Sequence, residues 1–187
     1  MEEEVRKAVE CLEQGKTILY PTDTVWGIGC DATNYKAVEK VYKIKRRFER
    51  KSLIILLENP DKIKDYVEEV PPIAFDLMKS MDTPLTIIYP RAKNLAKNVI
   101  AKDKSIAIRI VHEPFCHSLL SEFGKPIVST SANISGESAP LFFNKITDEI
   151  KQSVDYIVGI NQQLVNRMKP STIIKLKENN QFEIIRK

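Results

Sequence analysis

The chain has 187 residues and a mass of 21.4 kDa, a length that fits one folded unit with a substantial core and strains any division into two. With 43% hydrophobic and 29% charged residues, it is not an intrinsically disordered chain, which lacks the apolar surface needed to offset ordering entropy. The net charge of +4 conceals a concentration: Lys40, Lys43, Lys45, Arg46, Arg47, Arg50 and Lys51 stand against Glu49 alone, a local +6 that leaves the rest of the chain at −2. A patch of that kind suits a phosphate-bearing partner better than general coating of nucleic acid.

Residues 1–7 contain no apolar stretch of the kind a secretory leader requires, and no segment approaches the length of a membrane span. Cys11, Cys30 and Cys116 are odd in number and far apart, which fits neither a disulfide framework nor a C-x-x-C metal knuckle. The expected setting is the cytoplasm, away from membranes.

Taken in chain order, Val5, Ala8, Val9 and Leu12 recur at helical spacing, so residues 2–14 read as an amphipathic helix ended by Gly15. A strand over 17–20 meets a turn at Pro21, Thr22, Asp23 and Thr24, and extended structure resumes over 25–30. Val38, Val41 and Tyr42 mark a second helix running into the basic segment. Residues 53–57 form an apolar run expected of a strand buried on both faces. Pro71 and Pro72 open a helix through Met81, because proline is tolerated in a first turn. Strands over 85–89 and 106–110 follow, then a helix over 114–123 closed by Gly124, a strand over 127–130, a polar loop over 131–138, a helix around Ile146, and three late strands near Tyr156, Ile173 and Ile184. Strands and helices alternate throughout, which predicts an α/β fold with a twisted mixed sheet flanked by helices, in a single domain over 1–187.

Gly27, Gly29 and Ala32 formally match G-x-G-x-x-A. That dinucleotide fingerprint needs a helix at its end and an acid about 20 residues further on, whereas the downstream region is strongly basic; glycines that permit close packing in a strand are the better reading. There is no P-loop. His112 and His117 lie five apart, off a common helical face and without a carboxylate at ligand spacing, so they read as surface or capping residues, and neither a metal centre nor a serine hydrolase is expected.

Two short segments carry positive evidence. In an extended backbone, residues two apart point to one side, so Lys45 would aim with Arg47, and Ser131 with Asn133. A cation pair joined to a hydroxyl and amide pair can grip a polyphosphate and stabilise charge growing on it. Taken singly, a solvated helix end and an Asx or Ser turn explain each segment equally well. Arg109 adds weight, because a charge among Ile106, Ile108 and Ile110 in a strand is costly unless it meets an anion such as a substrate carboxylate.

Read together, these segments resemble the YrdC-like family of threonylcarbamoyl-AMP synthases over nearly the whole chain. The matching stretches are Y-P-T-D-T-V-W-G-I-G at 20–29, K-R-R at 45–47, P-L-T at 84–86, A-I-R-I at 107–110, S-T-S-A-N-I-S-G at 129–136 and P-S-T at 170–172. The resemblance implies a nucleotidyltransferase with a concave basic face that joins L-threonine, bicarbonate and ATP into threonylcarbamoyl-AMP and pyrophosphate, with Mg²⁺ accompanying the nucleotide and no metal ligands of its own. It assigns Lys45, Arg47, Lys51, Ser129, Ser131, Asn133 and Arg186 to ATP, with Lys45 and Arg47 catalytic, and Thr24, Thr86, Arg109 and Ser171 to threonine. Proteins of tRNA modification would take the product. Phe48 and Ser52 depart from the family in standing where it usually has prolines, and Val111 stands where a proline follows the arginine strand; fewer prolines mean more loop freedom.

The main alternative is a module of the same fold that contacts tRNA or double-stranded RNA through the 40–51 cluster. Against it, aromatics make up 7% of the chain, and Tyr42 and Phe48 alone interleave that cluster. An adenylating or carbamoyl-transfer enzyme with another acceptor is the second alternative.

Overall fold

The structure is a computed structural model that describes residues 1–47, 53–160, 162, 170–177 and 181–187. Lys51, Phe48 and Ser52 lie outside the described residues.

Local chemistry sets the helix limits. Helix α1 (Glu2–Glu13) buries Val5, Ala8, Val9, Cys11 and Leu12 and stops short of Gly15 at φ +67°. Asn34 caps α2 (Tyr35–Ile44) by accepting from the Ala37 amide. Glu113 does the same for the Cys116 amide at the start of α5 (Pro114–Phe123), whose first position is proline and whose end is the left-handed Gly124. Asn59 and Pro60 open a 3₁₀ turn at Pro60–Lys62 that passes into α3 (Ile63–Tyr66), a short helical stretch that apolar periodicity alone does not reveal. Pro72 opens α4 (Pro72–Ser80).

The helix expected around Ile146 is instead a break between two pieces. A 3₁₀ turn, Phe143–Lys145, ends at Ile146, whose backbone is extended, and Thr147 caps a new helix α6 (Asp148–Ser153). Ile146 buries its side chain without being helical, so its apolarity reports the core and not the backbone.

Among the described residues nine strands form one mixed sheet: β1 (Ile18–Tyr20), β2 (Gly27–Gly29), β3 (Ile54–Leu57), β4 (Leu85–Tyr89), β5 (Ile106–Ile110), β6 (Ile127–Ser131), β7 (Tyr156–Ile157), β8 (Thr172–Leu176) and β9 (Phe182–Arg186), in the order β7-β1-β2-β6-β3-β5-β4-β8-β9. The pairs β1/β7, β3/β5 and β4/β8 are parallel and the others antiparallel. Val111 extends the β3–β5 ladder by donating its amide to the Leu57 carbonyl at 3.0 Å, a bond proline could not make.

Side-chain alternation divides the sheet. One face sends Ile55, Leu57, Ile87, Ile106, Ile108 and Val128 into the larger core with α2. On the other face Ile18, Tyr20, Leu56 and Ile127 pack under α1 and α5, and these two helices cover part of it. No helix of the described residues is long and apolar enough to cross a membrane.

The two glycines of β2 serve packing, as expected. They stand opposite Tyr20 and Ile18, and a Cβ on Gly29 would come within 2.7 Å of both the Tyr20 ring and the Val128 carbonyl oxygen. Because the carbonyl belongs to the sheet and cannot retreat, Gly29→Ala is expected to destabilise the fold by about 1–3 kcal/mol, read as a lower urea midpoint at unchanged m-value.

Candidate active site

Lys45 and Arg47 do not lie on an extended strand. Lys45 is the C-cap of α2 in right-handed helical conformation, and Arg46 turns the chain at φ +50°. Alternation therefore does not bring the two side chains together; the helix end does. Lys45 is 4% exposed, and its Nζ donates to the carbonyls of Ser131 at 2.6 Å and Asn133 at 2.8 Å, while its own carbonyl accepts the Ser135 amide at 2.9 Å. Burial, with Arg47 adding to it, pulls the Lys45 ammonium down to about 8; the two carbonyl acceptors favour the charged form. An ammonium has three protons, so one remains beyond these two bonds. Arg47 packs its guanidinium over the Tyr42 ring at 6.0 Å. Arg46, between them, faces outward and pairs with Glu149.

The 131–138 loop is built on Asn133. Its Nδ2 donates to the carbonyls of Ile134 and Glu137 at 2.9 and 2.8 Å, and its Oδ1 is buried without a partner. Ser131 closes β6, and among the described residues its hydroxyl has no hydrogen-bond partner. Ser129 lies two residues earlier on the same face, beside the Tyr20 phenol, whose pKa is driven far up by burial.

The second half of the site is a row across the sheet. Leu56, Arg109, Thr86, Ile173 and Arg186 stand opposite one another on β3, β5, β4, β8 and β9, so they share one face. Arg109 is 4% exposed. Its Nη1 donates to Thr24 Oγ1 at 3.2 Å, its Nη2 lies 3.3 Å from Asp23 Oδ1, and its Nε is buried without a partner. Thr24 also meets Thr22 Oγ1 at 3.0 Å. Thr86 and Ser171 join hydroxyls at 2.8 Å, and the Ser171 carbonyl accepts from Arg186 Nε and Nη2 at 3.1 and 2.9 Å. Burial and the neighbouring Arg109 both lower the Arg186 guanidinium from its ordinary value. Two guanidiniums thus lie near enough to repel each other while one carboxylate, Asp23, pairs with Arg109, a balance that favours another anion.

The four residues assigned to threonine, Thr24, Thr86, Arg109 and Ser171, are therefore adjacent. So are Lys45, Ser131 and Asn133 from the nucleotide set. Arg186 lies with the first group and not the second. Ser129 shares the face of Arg109 through Ile54, which is opposite both Ser129 and Ala107, so these two residues stand on strands two spacings apart, roughly 10 Å across the sheet, and are offset by two residues along it. A cavity of about 640 Å³ has Thr22 and Asp23, the end of α4, Leu85, Ile110 and Glu113 in its wall; it meets the Arg109 row only through the 22–23 turn, since Arg109, Thr24, Thr86 and Ser171 do not line it. Asp23 is the residue whose place sequence reasoning missed. Its position next to a threonine pair in a turn gave the one available signal, since an acid facing a strand arginine cannot be read from one sequence. Among the described residues no group of three or more His, Cys, Asp or Glu side chains gathers to hold a metal ion.

The Sua5/YciO/YrdC family, described as "Telomere recombination", matches residues 10–187. The chain is 37% identical over 172 residues to a threonylcarbamoyl-AMP synthase of Pseudoalteromonas translucida, covering 90% of this chain and 91% of that one. It is 38% identical over 189 residues to a putative threonylcarbamoyl-AMP synthase of Methanocaldococcus jannaschii, covering 98% and 87% respectively. The crystal structure of P. abyssi Sua5 complexed with L-threonine superposes with a TM-score of 0.90 at 26% identity over 100% of this chain; the chain spans about half of that protein, 54% of its length.

The two loop residues should separate in a stability measurement. Asn133→Ala leaves two carbonyls without their donor and is expected to cost about 1–3 kcal/mol, whereas Ser131→Ala should change stability by less than about 0.5 kcal/mol. Chemical denaturation of both variants checks this.

Proposed function

The chain belongs to the Sua5/YciO/YrdC family, and on that footing we propose that it is an L-threonylcarbamoyladenylate synthase, making threonylcarbamoyl-AMP and pyrophosphate from L-threonine, bicarbonate and ATP for threonylcarbamoyladenosine modification of tRNA. The observation that carries the reading is Arg109: a buried guanidinium in mid-strand, with Nε unpartnered, a second guanidinium nearby and four hydroxyls around it. That is an anion site lined with hydroxyl groups, the complement of a small hydroxylated carboxylate such as threonine. The relatives named for this activity match the chain nearly end to end.

In this reading the threonine carboxylate meets Arg109, with Arg186 adding to the positive field, and the threonine hydroxyl meets the Thr24 or Thr86–Ser171 hydroxyls. The amine attacks the carbon of bicarbonate, water departs, and a carbamate results. A carbamate oxygen then attacks the α-phosphorus of ATP, and the bond to the bridging oxygen of pyrophosphate breaks. Lys45, Arg47 and the Ser131–Asn133 loop hold the triphosphate while charge builds on it, and Ser129, on the same face, lies beside them. A well-placed donor of this kind is worth about 3–4 kcal/mol in the transition state. Lys51 belongs to the same proposal by its place in the sequence. Mg²⁺ binds through few carboxylates and mainly through substrate phosphates; it would arrive with ATP, since the described residues offer no acidic cluster to hold it. The product is labile and would pass to partner proteins of tRNA modification in the cytoplasm.

The test is incubation with ATP, Mg²⁺ and bicarbonate and each amino acid in turn, followed by mass identification of the adenylate and measurement of pyrophosphate. Threonylcarbamoyl-AMP should form, and omission of either threonine or bicarbonate should abolish pyrophosphate release. Serine should be a poorer substrate by only about 10- to 200-fold, the worth of one methyl group in a pocket. Equal pyrophosphate release without threonine, or a different adenylate, overturns the reading. Salt-dependent tRNA binding without turnover would favour the RNA-binding alternative.

A further inference from the structure

We propose that Asp23 recognises the α-ammonium of the amino-acid substrate and makes the site selective for amino acids over the corresponding hydroxy acids. The inference rests on the reading of the Arg109 row as the threonine site.

Asp23 and Arg109 approach to 3.3 Å, yet they do not satisfy each other. Asp23 Oδ1 is buried and accepts no hydrogen bond, and Arg109 Nε is buried and donates none. A pair kept only to balance charge gains most from the two parallel bonds of a bidentate carboxylate–guanidinium contact, and a buried pair with unfilled valences is costly. Here each partner holds a valence for a group of opposite charge. A bound α-amino acid supplies both: its carboxylate answers the arginine and its ammonium the aspartate. The zwitterion then lies antiparallel to the protein's own ion pair, plus against minus at both ends.

Placement supports this. The Asp23 side chain keeps 17% of its surface exposed, against 5% for Arg109, and it forms part of the wall of the 640 Å³ cavity, which Arg109 itself does not line, so Asp23 is the member of the pair that meets that space. A cavity of that size lies within the range of small-molecule sites. Of the other carboxylates in that wall, Glu113 is committed to capping α5 through the Cys116 amide at 2.8 Å, and Asp82 stands beyond the exposed end of α4. Asp23 is thus the carboxylate next to Arg109. Thr22 and Thr24, on either side of it, bond to each other, and Thr24 accepts from Arg109, which fixes the turn that presents it.

Isothermal titration of the full chain with L-threonine, and with its analogue carrying a hydroxyl in place of the ammonium, tests the proposal. The wild-type protein should prefer threonine by at least about 10-fold. Asp23→Asn should weaken threonine on the order of 10- to 100-fold, the worth of a hydrogen bond to a charged group, and leave the analogue no weaker, so that the preference collapses. Asp23→Glu, which keeps the charge, should retain a preference for the ammonium. Thermal melting verifies that each variant folds, and Asp23→Ser carries the same comparison if the asparagine variant does not. Equal weakening of both ligands by Asp23→Asn, or no change in either, would show that Asp23 only balances Arg109 and overturns the proposal while the threonine site stands. Absence of threonine binding to the wild-type chain would instead remove the site reading itself, and this inference with it.

Discussion

A guanidinium placed in the middle of a sheet governs much of what surrounds it. Arg109 occupies a position on β5 between isoleucines whose alternation belongs to a buried strand, and a charge there is tolerable only with partners. The 20–27 connection supplies them: it folds back so that Asp23 and Thr24 reach the guanidinium. Thr86 on the neighbouring strand is polar at a fully buried position, Ser171 bonds to it from the entry to β8, and Arg186 closes the row from the edge strand by holding the Ser171 carbonyl. Several buried polar groups that would be separate costs in an apolar core are gathered into two adjacent hydrogen-bonded clusters, Arg109 with Thr24 and Thr22, and Thr86 with Ser171 and Arg186.

The other half of the site depends on how closely the first two strands pack. Without side chains on Gly27 and Gly29, the Tyr20 ring lies flat enough on β2 to bring its hydroxyl within 3.4 Å of the Val128 carbonyl, beside Ser129. β6 then ends at Ser131 against Gly27, and its outgoing loop is held by Lys45 from the end of α2. A helix terminus and a strand terminus, 86 and 88 residues apart in sequence, are joined by one ammonium. That tie gives Lys45 two roles, since the group proposed to meet the triphosphate also positions the loop beside it.

Much of this architecture is legible in the sequence because its signals are local. Asn34, Glu113 and Gly124 mark helix ends by their own side-chain chemistry or φ, and the apolar runs of β3, β4 and β5 are unbroken except at Thr86 and Arg109. What could not be read depends on distance. Ile146 looks helical by composition, but Thr147 interrupts the helix there. Lys45 and Arg47 were paired by an alternation that the helix end does not follow, although both still lie at the proposed nucleotide half. Arg186 falls with the threonine residues because β9 pairs with β8 across a register irregularity, and no local pattern announces that. Asp23 escapes a sequence reading because a turn acid and a strand arginine 86 positions later meet only in three dimensions. Within the P-T-D-T turn, family resemblance assigns Thr24 alone; the contact between Asp23 and Arg109 appears only in the geometry.

The central claim is that Arg109 is kept buried for an anionic ligand, and ligand-induced stabilisation of the Arg109→Met variant tests it most directly. A ligand that binds only the native state raises the melting temperature by an amount that grows with the logarithm of its concentration above Kd. L-Threonine should raise the melting temperature of the wild-type protein and leave that of Arg109→Met unmoved over the same concentrations. An equal rise in both would contradict the claim and return Arg109 to a purely structural role.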